Sequence, residues 1–84
     1  VNPKKILIKN LKSRWGSTTF KGTINLNVNL IKAPFDVIEY VVLHEMGHLI
    51  EKNHSPKFWK LIKSYMFDYS KKIKWLKING QHIL

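Results

Sequence analysis

The segment His44-Glu45-Met46-Gly47-His48 contains the side chains with the clearest potential for chemistry. On a helix, residues four positions apart lie one turn apart on the same face, so the two imidazoles can share one tetrahedral zinc ion. Glu45 lies about 100° round the helix from His44, where its carboxylate can take a proton from a metal-bound water. The spacing predicts a zinc site with Glu45 as its general base. The alternative is that both histidines are ordinary helix residues beside a core face.

A catalytic zinc site usually has three protein ligands and one open position, so a third ligand is needed. We predict His54, because a left-handed Asn53 at the end of the helix would turn the chain back over the metal. Glu51 is the alternative, since it lies three residues after His48 on roughly the same helix face. Three ligands along one straight helix would surround the metal poorly, which favours His54.

The helix that must carry these residues is predicted from about Pro34 to about Lys52. Proline suits its first turn, and Asp36 suits its positive N-terminal end. Apolar residues recur along it at three- and four-residue spacing: Val37, Ile38, Val41, Val42, Met46, Leu49 and Ile50. Gly47 is unusual there, because glycine inside a helix costs about 1 kcal/mol relative to alanine. It indicates either close helix packing or space for a strand or substrate.

Strand signals precede this helix. Ile6–Ile8 is a short apolar run, and Thr18–Val28 reads as an antiparallel hairpin that turns at Lys21-Gly22. The residues after the turn alternate between apolar (Ile24, Leu26, Val28, Leu30) and asparagine (Asn25, Asn27, Asn29). This period of two predicts one buried face and one wet face.

Two more helices are predicted after the long one. Ser55 can cap the first, with Pro56 at its first position. The second is expected from about Ser70 to Ile78, with Asn79-Gly80 ending it. Strands followed by helices predict an α+β domain in which the long helix packs on a small antiparallel sheet.

The composition bounds what this domain can be. Its 84 residues predict a single domain over 1–84, and a hydrophobic fraction of 44% excludes disorder. Without cysteine, a bound metal is the remaining candidate for stapling so small a core. No apolar run is long enough for a membrane span and no secretory signal is recognisable, so we expect a cytoplasmic protein without a membrane partner. Because the first residue is Val1, we expect the C-terminal part of a longer protein.

The net charge of +10 leaves two interpretations open. Such a field attracts polyanions, which favours a nucleotide or nucleic-acid partner. Because the basic residues are spread along the chain rather than clustered, a solvated lysine-rich surface explains them equally well.

Several segments occur together at a specific spacing: Leu11-Lys-Ser-Arg-Trp-Gly-Ser17, Gly22-Thr-Ile-Asn-Leu-Asn27, Ala33-Pro34, Val37-Ile-Glu-Tyr-Val-Val-Leu-His-Glu-Met-Gly-His48 and Asn53-His-Ser-Pro-Lys-Phe-Trp59. In combination they resemble the YgjP-like metallopeptidase domain, a zincin family related to the SprT and WLM groups. The resemblance extends from about Leu11 to Trp75. The chain departs from the family pattern at Thr18, where members usually have cysteine, and it lacks their longer N-terminal region.

The resemblance implies a minimal zincin fold, with His44, His48 and His54 as zinc ligands and Glu45 as the base. It implies a metallopeptidase that acts on a peptide or protein, and the strand near Ile24–Val28 is a candidate for pairing with an extended peptide. Some members of the family resemble pyrophosphatases that act on UTP, so a metal-dependent nucleotide hydrolase is one alternative. A basic nucleic-acid-binding module with structural zinc is another.

Arg14 and Trp15 precede the predicted hairpin. Arg14 is a candidate substrate-binding residue, because a guanidinium can hold a phosphate, a carboxylate or a developing oxyanion. The alternative is a surface arginine beside a tryptophan that plugs the sheet edge. We favour this structural role for Trp15 and leave Arg14 open.

Overall fold

The computed structural model describes residues 2–83, which form a three-stranded sheet followed by three helices. The strands are β1 (Lys5–Lys9), β2 (Gly16–Thr18) and β3 (Thr23–Asn27). A 3-10 helix, Val28–Lys32, leads to α1 (Phe35–Gly47), α2 (Pro56–Tyr65) and α3 (Tyr69–Ile83). The predicted α+β class, with a long helix packed on a small sheet and two further helices, is confirmed.

The sheet is mixed rather than purely antiparallel, which corrects one feature of the prediction. The strand order is β1-β3-β2. β2 and β3 form the predicted antiparallel hairpin, whereas β1 pairs parallel with β3. The segment between Lys9 and Gly16 crosses from one edge to the other and leaves the central place to β3. β1 therefore lies beside the strand that runs in its own direction.

The asparagine face of β3 is buried, although the alternation predicted a wet face. Asn25 is 8% exposed and Asn27 is 1% exposed. The Nδ2 group of Asn27 donates to the carbonyl oxygens of Leu11 and Arg14, both at 2.8 Å. The loop before β2 therefore folds over this face. Sequence alternation detects which residues share a face but not which loop covers it.

The alternating pattern also continues beyond the strand. β3 ends at Asn27, whose Oδ1 accepts a hydrogen bond of 2.9 Å from the Asn29 backbone nitrogen. This cap starts the 3-10 helix, in which Leu30 is buried and Val28 is exposed. The local hydrogen bond of an asparagine side chain therefore outweighs the strand pattern at this point.

The core lies between the sheet and the helices. Its buried residues are Ile24, Leu26, Leu30, Tyr40, Val41, Phe58 and Ile62. The predicted N-cap of α2 is confirmed, because the Ser55 hydroxyl accepts from the Phe58 backbone nitrogen. Among residues 2–83, no helix is long and apolar enough to cross a membrane.

Two helix ends differ from the predictions. α1 ends at Gly47 rather than near Lys52, and α3 continues through Gly80 to Ile83. Gly80 is buried against the indole of Trp15, and a Cβ at that position would lie 2.8 Å from Trp15 Cζ2. Packing against the indole therefore explains this glycine better than a helix stop does.

Candidate metal centre

Helix α1 and the turn after it bring three imidazoles to one point. His44 lies in the last turn of α1, His48 follows one turn later as the C-cap of this helix, and His54 lies just before α2. The Nε2 atom of His54 is 3.0 Å from the Nε2 atom of His44 and 3.0 Å from that of His48. Within residues 2–83, these three side chains form a group whose ligand atoms all lie within 4.8 Å of one another.

The chain reaches His54 by a different turn from the one predicted. After α1, the backbone nitrogens of Ile50 and Glu51 donate to the carbonyl oxygen of Gly47, at 3.0 and 2.9 Å. No residue other than glycine has a positive φ in the described part of the chain, so the predicted left-handed Asn53 is wrong. Continued turns rather than one left-handed residue reverse the chain.

Glu51, the rival ligand, has a different place. Its carboxylate does not belong to the group of metal-binding atoms found among residues 2–83. Its backbone carbonyl oxygen instead lies 3.0 Å from Nδ1 of His48. A carbonyl oxygen only accepts, so the proton of neutral His48 is on Nδ1 and the lone pair of Nε2 points towards the other two histidines. This is the tautomer that a metal ligand requires.

Tyr40 orients the imidazole of His44. Its hydroxyl lies 3.1 Å from Nδ1 of His44, on the ring edge opposite the cluster. Burial raises the pKa of Tyr40, and the Glu45 carboxylate raises it further, so its hydroxyl stays protonated. Burial also lowers the pKa of His44 to about 4, with His48 and His54 as further causes. His44 is therefore neutral at physiological pH, as a ligand must be.

The three nitrogens fit a divalent metal ion. A tetrahedral zinc ion with bonds of about 2.0–2.1 Å holds its nitrogen ligands about 3.3 Å apart. The two separations of 3.0 Å are close to this value. Neutral imidazoles whose Nε2 lone pairs face one another do not stabilise each other, whereas each lone pair can bind a shared cation. The donor set and its convergence therefore suit one metal ion.

Glu45 is the buried acid beside this cluster. The residue is 6% exposed, and burial raises the pKa of its carboxyl above the ordinary value. The Thr18 hydroxyl lies 2.7 Å from Oε1 of Glu45 and 2.8 Å from its backbone oxygen. This hydrogen bond opposes the rise in pKa, and the positive charge of Arg14 does so more weakly.

Strand β2 comes unusually close to Glu45. A Cβ at Gly16 would lie 2.9 Å from Glu45 Cγ, so only glycine allows this approach without displacement. Arg14, just before the strand, has an exposed side chain, and its charge acts on Glu45. The predicted substrate-binding residue therefore lies on the loop that borders the candidate site.

Aromatic rings from α2 form a wall behind the histidines. Phe58 stacks on His48 with a centroid separation of 4.4 Å, and Trp59 stacks on His54 at 5.8 Å. Both rings are therefore direct neighbours of the candidate ligands. Gly47 has a related role, because a Cβ there would lie 2.9 Å from Phe58 Cε1. Of the two interpretations of Gly47, close helix packing is the one that the structure shows.

Sequence reasoning missed three groups that contact the site: Thr18, Tyr40 and the backbone oxygen of Glu51. Tyr40 carried a signal, since it lies four residues before His44 on the same helix face. Thr18 lies 27 positions from Glu45, and the backbone oxygen of Glu51 belongs to every residue type. Neither contact could be found without the fold.

A helix with His44, Glu45 and His48, followed by His54 in the next turn, is the arrangement of a metal-dependent hydrolase domain. The YgjP-like metallopeptidase domain family matches residues 1–79, and the chain belongs to this family. A solved structure of the metallopeptidase zymogen abylysin from Pyrococcus abyssi is similar, with a TM-score of 0.65 and 31% sequence identity. The match covers 70% of this chain and 59% of the abylysin chain, so this chain corresponds to little more than half of that protein. No curated protein matches the chain.

Proposed function

We propose that this domain is a zinc-dependent peptidase in which His44, His48 and His54 hold the metal and Glu45 is the general base. The observation that carries the proposal is the convergence of three Nε2 atoms, two of them separated from the third by 3.0 Å, beside a buried carboxylate on the same helix. Membership of a metallopeptidase family supports the reaction class.

Zinc, when bound, supplies a Lewis acid that activates water and polarises the carbonyl under attack. The carboxylate of Glu45 accepts a proton from the attacking water and passes it to the leaving nitrogen. Burial raises the pKa of Glu45, which makes its carboxylate a stronger acceptor for the proton of the attacking water, and the Thr18 hydroxyl stabilises the ionised form that begins the transfer. Tyr40 and the Glu51 carbonyl hold two of the imidazoles in orientation.

The free edge of β2 is where we place an extended peptide. The prediction had assigned this role to the strand near Ile24–Val28, but β3 is hydrogen-bonded on both sides and has no edge to offer. β2 is an edge strand and approaches Glu45 closely at Gly16. A peptide added to this edge gains main-chain hydrogen bonds whatever its sequence.

Cleavage of an unstructured protein by the zinc-loaded chain tests the proposal. Glu45→Gln keeps the size of the side chain and an oxygen that accepts from Thr18, but it cannot take up a proton. We expect its activity to be about 10²–10⁴-fold lower. Equal activity of the two proteins overturns the role of Glu45, and no activity in either overturns the peptidase. UTP in parallel reactions tests the nucleotide alternative, which is motivated by Arg14 and by the net charge of +10.

A further inference from the structure

A cavity of about 410 Å³ opens directly beside the candidate catalytic residues. His44 and Glu45 form part of its wall, and α3 closes the opposite side. The remaining wall consists mainly of the side chains of Trp15, Tyr40, Val41, Ile73, Leu76 and Lys77. Any group that enters this cavity therefore lies next to the proposed site of bond cleavage.

We propose that this cavity is a specificity pocket that takes a large uncharged side chain, aromatic above all, from the residue next to the scissile bond. The inference rests on the proposed peptidase function and adds the class of substrate. It follows from three properties of the cavity: its size, its apolar and aromatic walls, and the sign of the charge at its rim.

Size excludes small side chains as the best occupants. The cavity falls within the range of about 300–1,000 Å³ that is typical of ligand sites. A methyl group would leave most of it unfilled, whereas an aromatic side chain buries about 150–250 Å² of surface. Hydrophobic transfer therefore favours an aromatic or a long aliphatic residue over alanine.

The walls are rigid and suit a flat ring. Trp15 is held against α3, because Gly80 has no side chain to separate them. Tyr40 is buried and its hydroxyl is engaged with His44. Aromatic rings prefer offset-stacked or edge-to-face contacts with one another, and the half-buried indole of Trp15 offers such a contact. Val41 and Leu76 add aliphatic surface.

Charge disfavours a basic side chain in the pocket. Glu45 is the acidic residue in the wall, and its carboxylate is already used by Thr18 and by the proposed chemistry. Lys77 is exposed at the lining and adds a positive charge. A lysine or arginine of the substrate would be desolvated without a free partner and repelled by this cation.

Matched peptides that differ only in the residues flanking one scissile bond test the inference. With the zinc-loaded protein, we expect kcat/KM for phenylalanine peptides to exceed that for alanine peptides by at least about tenfold, since apolar groups of this size are worth that much in a fitted pocket. Lysine peptides should rank below both. Cleavage without this preference overturns the pocket and leaves the peptidase intact.

Two variants assign the preference to this cavity. Leu76→Trp fills it, and the phenylalanine-to-alanine ratio should fall to about one. Lys77→Glu reverses the charge of an exposed residue, which folding tolerates, and should raise the ratio for lysine over phenylalanine peptides. Unfolding temperature and zinc content verify that each variant is folded and loaded. Unchanged ratios in both variants overturn the assignment.

A binding measurement separates failure of the pocket from failure of the peptidase. Calorimetry with zinc-loaded Glu45→Gln compares phenylalanine hydroxamate with alanine hydroxamate, and no turnover is needed. We expect the phenylalanine compound to bind at least about tenfold more tightly, and Leu76→Trp to remove the difference. Equal binding overturns the pocket even if peptides are cleaved. If peptides are not cleaved but the difference is present, the pocket is supported and the peptidase fails.

Discussion

The hydroxyl of Thr18 offers a direct test of how the sheet contributes to the site. It lies 2.7 Å from Oε1 of Glu45 and comes from a strand 27 positions earlier. Thr18→Val removes the hydroxyl and keeps the branched shape, whereas Thr18→Ser keeps the hydroxyl and loses only a methyl group. Comparing the two variants separates the hydrogen bond from the packing.

The size of the effect follows from the geometry. A hydrogen bond to a charged group contributes about 1.5–3 kcal/mol, so its loss can lower the fraction of Glu45 that is ionised and correctly oriented for attack by roughly 10–100-fold. One hydroxyl is shared here between Oε1 and the backbone oxygen of Glu45, so the lower end of this range of free energies applies. We expect kcat for peptide cleavage to fall by about tenfold in Thr18→Val and much less in Thr18→Ser.

The pH profile gives a second readout with a defined sign. The Thr18 hydroxyl lowers the pKa of Glu45 against the larger effect of burial, which raises it. Its removal therefore raises the pKa, and a base must be ionised to accept a proton. The acid limb of kcat/KM should move to higher pH in Thr18→Val and stay near its original position in Thr18→Ser. Equal activity in the two variants, or an acid limb that moves to lower pH, would refute this reasoning.

Three further predictions concern stability. Gly47→Ala should lower the free energy of unfolding by about 1 kcal/mol, because overpacking against Phe58 exceeds the gain in helix propensity. Thermal unfolding should show a decrease in Tm of about 4–8 °C. No decrease would contradict the close contact. Asn27→Leu should cost roughly 2–4 kcal/mol in urea unfolding, because three hydrogen bonds are lost, and a neutral result would mean that the loop does not depend on them. Chelation should lower Tm, and zinc at 100 times its Kd should restore about 2.7 kcal/mol of the free energy of unfolding. A Tm that does not respond to zinc would argue against a metal in the folded state.

Much of the fold follows from local patterns. The hairpin, α1 and the start of α2 have signals within a few residues: alternation, helical spacing, and Ser55 followed by Pro56. The wrong predictions share one cause, which is contact with distant segments. The loop at Leu11–Arg14 buries the asparagine face of β3. The indole of Trp15 packs against Gly80, which explains why α3 contains a glycine there. No local pattern contains these contacts.

The candidate site also has one part that local sequence predicts and another part that depends on the fold. The spacing of His44 and His48 on a helix places both imidazoles without any knowledge of the fold. His54 was predicted from the need for a third ligand, and the structure brings it to the other two by a turn different from the one expected. The partners that orient the ligands include a backbone oxygen, which cannot be predicted from the residue type.

We propose that three histidines, and not Glu51, hold one zinc ion. Zinc content per chain, measured after metal loading and dialysis in the parent protein, His54→Ala and Glu51→Ala, tests it directly. We expect one zinc in the parent and in Glu51→Ala, because only the backbone oxygen of Glu51 contacts the site. His54→Ala should weaken zinc binding by more than the roughly 10–100-fold caused by loss of an outer hydrogen bond. Full zinc content in His54→Ala with loss of zinc in Glu51→Ala would contradict the account.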